Sequence, residues 1–243
     1  GATNFYLDRI RNLLLNGNIR KFIRYDVVLN SLFVQNRLYL IKEYKYLLKK
    51  LKDKKILDEN NIGYPVPFFC NLKTSGNRVH HLYHILRFKD FFGKELKKID
   101  IILDWGAGYG SMTHLFYKLG FKGTYIIYDF DELHFLQYYY LKSLGHKINL
   151  GNTIKKNHIN LINDKGVVEK FMKLKRKNSN KLFLSCWALS ETERGLRDQF
   201  SYVYKNCQYV LLGFQEKYFN INNIKYFKDK IKKSFKNKNI LIE

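Results

Sequence analysis

The sequence predicts an α/β chain, a doubly wound open sheet of parallel strands preceded by a helical lobe. Three observations carry this. Ile101–Leu103 is a short apolar run that ends at Asp104, passes through the glycine-rich turn Gly106-Ala107-Gly108-Tyr109-Gly110, and enters a segment of helical spacing. In that segment Met112, Leu115, Phe116 and Leu119 share one side. One unit later Tyr125–Tyr128 repeats the strand pattern and ends at Asp129, whereas residues 5 to about 57 read as helices throughout. Strand, glycine turn, helix and second strand in that order open a Rossmann-like fold, because the turn lets a ligand approach the backbone and the helix start offers free N–H groups.

Before that core, Leu13-Leu14-Leu15 sit in one amphipathic segment. A second runs through Leu32, Phe33, Leu38, Tyr39, Ile41, Tyr44, Leu47, Leu48 and Leu51. Lys49, Lys50, Lys52, Lys54 and Lys55 near its end suit the negative helix terminus and read as a solvated face. Asp58–Pro67 holds both prolines and is a non-helical connection. It sets the expected division into a helical lobe, 1–63, and a nucleotide-type domain, 64–243. Ser75-Gly76-Asn77 then introduces a helix from Arg78 to Phe88, with Val79, Leu82, Tyr83 and Leu86 as its packed stripe. His80, His84 and Arg87 fall together on a neighbouring stripe, and His81 lies elsewhere.

After the second strand, Leu133, Leu136, Gln137, Tyr140 and Leu141 define a helix that stops at Gly145. The third strand is either Lys147–Leu150 or His158–Ile162, the latter preferred, with Asn163-Asp164 at its end. Val167–Met172 begins a short helix, and Lys173–Lys181 is a basic connection. Lys181–Cys186 is the fourth strand, followed by Trp187-Ala188-Leu189-Ser190-Glu191. Gln208–Phe214 is the fifth, Ile221–Phe235 a basic helix, and Ile240–Ile242 a sixth strand.

Bulk properties narrow the function classes. No apolar run approaches the roughly 18–20 residues of a membrane span, and Gly1–Phe5 lacks a signal peptide's basic and apolar regions. Cys70, Cys186 and Cys207 are odd in number and far apart, so neither a disulfide framework nor a zinc site is expected, and the setting is reducing and cytoplasmic. Lys+Arg 44 against Asp+Glu 21 gives +23, a surface that attracts nucleic acid or acidic substrates. That charge is mostly lysine, in a chain also rich in Asn, Ile, Tyr and Phe, residues that share A/T-rich codons. Nucleic-acid binding is therefore the alternative and not the first reading.

The turn itself separates two cofactor classes. A dinucleotide fingerprint needs G-x-G-x-x-G or a closing Ala, but here the third glycine comes early, at Gly110, and Ser111 stands at the closing position. Asp104, two residues before the first glycine, suits an ammonium group better than a pyrophosphate. The run looks like motif I of the class I S-adenosylmethionine-dependent methyltransferases. Asp129 follows the turn by roughly the 20 residues expected of an acid that accepts from ribose hydroxyls, or it caps the helix beginning near Asp131-Glu132. Asp164 is placed to meet the adenine edge. His80 and His84 at i and i+4 make a weak metal signal without a third ligand, so no metal is expected. They read either as structural histidines or, with Arg87, as a base and an anion-binding group. Ser190 and Glu191 are either a helix cap and a first-turn acid, or part of the active site with Trp187.

With these residues in view, the chain resembles the sugar O-methyltransferase family of the class I methyltransferases, from about Asn77 to Phe227. The resemblance rests on the His-rich run Arg78–Phe88, on Leu103–Gly110, on Tyr128-Asp129 with Leu136–Leu141, and on Trp187-Ala188-Leu189-Ser190-Glu191, the last run and the His-rich helix being what narrows it to this family. It implies the class I methyltransferase fold and S-adenosylmethionine as cofactor. It implies cofactor binding at Asp104, Gly106, Gly108 and Asp129, to which the rest of the turn and the strand ends add Ala107, Tyr109, Gly110, Phe130 and Asp164 as candidates. The acceptor is a hydroxyl of a glycan or nucleotide-sugar, a deoxyhexose such as rhamnose first, met by Arg78, Arg87, Trp187 and Ser190. Deprotonating an alcohol needs a positioned base, for which Glu191, His84 and His80 are the candidates. A complete sheet of this class carries one more strand than the sequence offers. The rival readings are an RNA-directed methyltransferase and a non-catalytic binding module.

Overall fold

Residues 2–93, 95–173 and 179–234 are described by a computed structural model of the chain. They group by contact into two units, each discontinuous in sequence. One takes the chain up to Asp90 with Gly108–Leu119 and Phe130–His146, and the other takes Phe91–Ala107, Gly120–Asp129 and the chain from Lys147 onward.

The first unit opens with helices α1 (Ala2–Asn16), α2 (Asp26–Leu29) and α3 (Leu40–Lys50), joined in part by 3₁₀ turns. The helix expected from Leu32 onward starts only at Leu40. The reason is a side-chain competitor: the Val34 N–H donates to Asn77 Oδ1 at 3.0 Å, and Leu38 is left 80% exposed. Pro67–Phe68 (β1) and Asn71–Ser75 (β2) form a short antiparallel pair that the sequence did not announce. Helix α4 (Gly76–Phe92) follows at once, capped by Ser75, whose Oγ accepts the Arg78 N–H at 3.0 Å. It is buried nearly all round. Val79, Leu82, Ile85 and Leu86 are inside, but so are Asn77, Arg78 and His80. Helices α5 (Ser111–Lys118) and α6 (Asp131–Ser143) complete the unit. The end of α6 is a Schellman arrangement: Gly145 N–H to Lys142 O, His146 N–H to Leu141 O, and Gly145 at φ +81°.

The second unit holds the sheet. Strands β3 (Ile101–Trp105), β4 (Thr124–Tyr128), β5 (Ile148–Leu150), β6 (Ile159–Ile162), β7 (Lys181–Cys186) and β8 (Tyr209–Gly213) lie in the order β5-β6-β4-β3-β7-β8. Every pairing is parallel. Both candidates for the third strand are therefore strands; β6 lies beside β4 and β5 forms the outer edge. From β3 the chain passes to β4, out to the edge at β5, back to β6, and then crosses to β7 on the other side of β3 and on to β8. That reversal is the switch point of a Rossmann-like sheet, beyond whose carboxyl ends ligands bind.

The strands' period of two divides the sheet's side chains between faces. Ile101, Leu103 and Trp105 of β3, with Ile126, Ile162 and Phe183, pack against Val168 and Met172 of α7 (Lys165–Lys173). Phe200 and Val203 of α8 (Arg194–Lys205) and Tyr226 and Phe227 of α9 (Asn223–Ser234) join the same core. Phe183 is fully buried, and truncating it to Ala should cost about 3–5 kcal/mol. Ile102 and Asp104 face the other way. The helix expected from Ile221 begins two residues later, because Ile221–Asn222 (β10) pair antiparallel with Lys217–Tyr218 (β9). Phe235, the expected strand Ile240–Ile242 and part of the basic connection lie outside the described residues. No described helix is long and apolar enough to cross a membrane.

Candidate functional site

In the second unit, β3 and β4 end side by side and deliver the two acids. Asp104 is 2% exposed and accepts a 2.7 Å hydrogen bond from Tyr125 Oη of the adjacent strand. Burial raises its carboxyl to a pKa of about 7; the Tyr125 bond opposes that rise and the Asp129 charge adds to it. Asp129 follows β4 directly. The cap position of α6 belongs to Phe130, 48% exposed and without a side-chain capping bond. Cys186 ends β7 near Asp104, but burial and the Asp104 charge push its thiol up, which argues against a nucleophile.

Between the acids runs the glycine turn. Gly106 sits at φ +72°, donates its N–H to Tyr128 O at 3.1 Å, and would place a Cβ 2.1 Å from that of Ala188. Only glycine fits there, by conformation and by space. Gly108 and Gly110 also have positive φ, and Gly110 takes the cap position of α5. Ala107 lies half-buried in the turn. Tyr109 departs from the cofactor role expected of it. Its ring is buried within the first unit against Phe22 and Tyr140, and its hydroxyl accepts from Asn77 Nδ2 at 2.8 Å. Asp164 spends one oxygen on α7, where Oδ1 accepts from the Gly166 and Val167 N–H groups at 2.7 and 3.2 Å.

The carboxyl end of β7 is strained. Trp187 has φ +66° and ψ −45°, close to the rare γ-turn region. Its N–H donates to Gly213 O at 2.6 Å, and its carbonyl accepts from the Glu191 N–H at 3.1 Å. Ser190 Oγ lies 2.6 Å from the same carbonyl and 2.8 Å from Gln215 Oε1. Helix α8 starts only at Arg194, so Ser190 is not its cap. Glu191 keeps an exposed side chain, yet neighbouring atoms desolvate its carboxyl and raise its pKa, against a 3.3 Å bond from Gln215 Nε2. Nothing in the sequence marks Arg197, which holds this turn. Fully buried, it donates to Thr192 O at 2.7 Å, to Asn223 Oδ1 at 2.6 Å and to Ser190 O. It also lies over the rings of Tyr218, Tyr226 and Phe227.

The His-rich helix α4 belongs to the first unit. Arg78, expected at the acceptor, is 1% exposed and committed to Ile56 O at 2.8 Å and Glu59 Oε1 at 2.9 Å. Ser75 Oγ donates to the same carboxylate, so this is a structural ion pair. Arg87 lies over the Tyr46 ring at 5.7 Å. His80 and His84 do meet, with Nε2 atoms 3.1 Å apart, and His80 Nδ1 lies 2.8 Å from Glu43 of α3. No group of three His, Cys, Asp or Glu suited to a metal occurs among the described residues. No protein-family model matches the chain, and a search of the curated proteins finds no match.

Proposed function

We propose that the chain is an S-adenosylmethionine-dependent O-methyltransferase acting on a sugar hydroxyl of a glycan or nucleotide-sugar. The supporting observation is the pair of acids at the ends of adjacent strands, Asp104 and Asp129, with a glycine turn of positive φ leaving the first. This donor set fits the cofactor. Asp104 is a buried carboxyl that an ammonium would ionise, and Gly106 brings backbone to a place where no side chain fits. Asp129 is an acid suited to ribose hydroxyls.

S-adenosylmethionine, when bound, supplies an electrophilic methyl group on a sulfonium. The chain's own residues then have three tasks. Asp104 holds the ammonium end, Asp129 holds the ribose, and the turn at Trp187–Glu191 presents polar groups at the carboxyl end of β7. The acceptor hydroxyl must lose its proton as the new bond forms, and Glu191 would take it. Alignment does most of the catalytic work in such a displacement.

Calorimetric titration with S-adenosylhomocysteine tests the reading. Micromolar binding that Asp129→Ala abolishes is the expected result. An intact protein that binds none of it would remove the cofactor and the reaction together.

A further inference from the structure

The first unit exposes an aromatic ring at a position that strains its own backbone. Tyr64 has φ +55° and precedes Pro65. Positive φ suits glycine, and a following proline pushes its neighbour toward extended backbone, so the conformation is costly on two grounds. Burial of the ring does not offset that cost, since Tyr64 is 54% exposed. The turn is nevertheless fixed. The Tyr64 N–H donates to Asn61 O at 3.2 Å, and the Gly63 carbonyl accepts from the Ile23 N–H at 3.1 Å. Arg24 takes the next two carbonyls, Tyr64 O from Nε at 2.5 Å and Pro65 O from Nη2 at 3.1 Å. A strained residue persists only where its surroundings over-determine it, and such residues cluster at ligand sites.

What accompanies the ring is cationic. Arg24 ends the 3₁₀ segment Ile19–Arg24, which buries Phe22 and Ile23 and leaves Arg20, Lys21 and Arg24 exposed. Lys21 Nζ lies 5.8 Å from the centre of the Tyr64 ring, within reach of cation–π attraction. Among the described residues none of these three cations meets a carboxylate. Elsewhere in the same unit exposed cations do: Arg11 pairs with Asp8 and Lys50 with Asp90. A fixed, open ring beside cations lacking a counter-charge suits a ligand with a flat face to stack and anions alongside. A lipid surface offers the anions, but insertion draws on apolar side chains, and Phe22 and Ile23 are turned inward. A single strand of nucleic acid offers base and phosphate in every repeat, and the chain's Lys+Arg 44 against Asp+Glu 21 attracts such a polyanion.

We propose that Tyr64 is a stacking platform for a base of single-stranded nucleic acid, with Arg20 and Lys21 on the adjoining phosphates. Arg24 is the positioning residue, since its fork is committed to the two carbonyls that hold the ring out. The binding is read through the faces of the bases and the charge of the backbone, so it tolerates many sequences. It needs neither the acids nor the glycine turn, and it stands or falls apart from the methyl-transfer reading.

The test is fluorescence anisotropy with a labelled single strand of about twelve uridines, over about 50–200 mM salt. The wild type should bind it. An abasic strand of the same length keeps the phosphates and lacks what stacks, so it should bind about tenfold more weakly. Tyr64→Phe should match the wild type. Tyr64→Gly, which takes the positive φ without strain, should lose about tenfold and keep the salt dependence. Arg20→Gln with Lys21→Gln should instead make the plot of log K against log salt shallower by about 1.4, two phosphate contacts' worth. A wild type that binds neither strand, or both equally, would overturn the proposal even if the variants failed to fold. So would a folded Tyr64→Gly that binds the uridine strand as the wild type does. Phosphatidylserine vesicles bound through Tyr64, with the strand ignored, would overturn it in favour of a lipid surface.

Discussion

Asp104→Asn separates the cost of the buried acid from its use. Its folded pKa of about 7 stands against about 3.9 in an unfolded chain. Between those values the native state holds a proton that the unfolded state has released, so stability falls as pH rises through the window. Below about pH 4 the group costs nothing by this route. Above about pH 7 the full penalty is present, on the order of 4 kcal/mol. Between pH 5 and pH 8 the wild type should therefore lose about 2–3 kcal/mol that the variant keeps. Asparagine offers Tyr125 the same acceptor but buries an NH₂ group, a cost of about 1–3 kcal/mol that does not change with pH. Guanidinium unfolding of both proteins at pH 5 and pH 8 isolates the titrating part as a double difference. A stability gap identical at the two values would refute the raised pKa and with it the poised acid. In the methyl-transfer reading the same group makes binding pH-dependent. S-adenosylhomocysteine should bind about fivefold more weakly at pH 6 than at pH 7, as the ionised fraction of Asp104 falls, and the variant should not bind it measurably.

Three further outcomes follow from the same geometry. Gly106→Ala should destabilise by about 2–3 kcal/mol, from the positive φ and the clash with Ala188 together, and an unchanged melting temperature would show that the turn is not packed as described. At position 187 the usual order of small residues should invert: Trp187→Gly should be more stable than Trp187→Ala by about 1 kcal/mol in urea unfolding, because only glycine occupies φ +66° without strain. Arg197→Lys keeps the charge but loses the fork that reaches three acceptors, and should cost on the order of 2 kcal/mol; a loss of a few tenths would mean the fork is dispensable.

Local chemistry was legible in the sequence wherever one residue type was obligatory. The glycines of the turn, the apolar strands ending in acids, and Gly145 as a helix stop all carry their geometry in their identity. What could not be read was decided by partners distant in sequence. Asn77 captures the Val34 N–H 43 residues away and so delays α3, and Glu59 claims Arg78 from 19 residues upstream. Tyr109 looked like part of a ligand loop because it lies between two glycines, yet its hydroxyl had a buried amide to meet. The i, i+4 spacing did place His80 against His84, but Glu43 comes from another helix, and spacing has nothing to say about it. Arg197 shows the same limit, since a basic residue in a basic helix carries no mark of burial.

Arg197 also explains how β7 can end as it does. A residue other than glycine persists at φ +66° only where the surroundings over-determine it. Here Trp187 is fixed from both sides, its N–H by Gly213 O and its carbonyl by the Glu191 N–H and Ser190 Oγ. Those contacts would pivot together if Ser190 could move. It cannot, because Arg197 takes the Ser190 carbonyl and the Thr192 carbonyl at once. A buried guanidinium is ordinarily matched with a carboxylate. The partners of this one are two main-chain carbonyls, an asparagine oxygen and three aromatic faces, so its charge acts on the position of the turn. In the methyl-transfer reading, where a misplacement of about 1 Å can cost about a hundredfold, that is a reason to bury a cation behind Ser190 and Glu191.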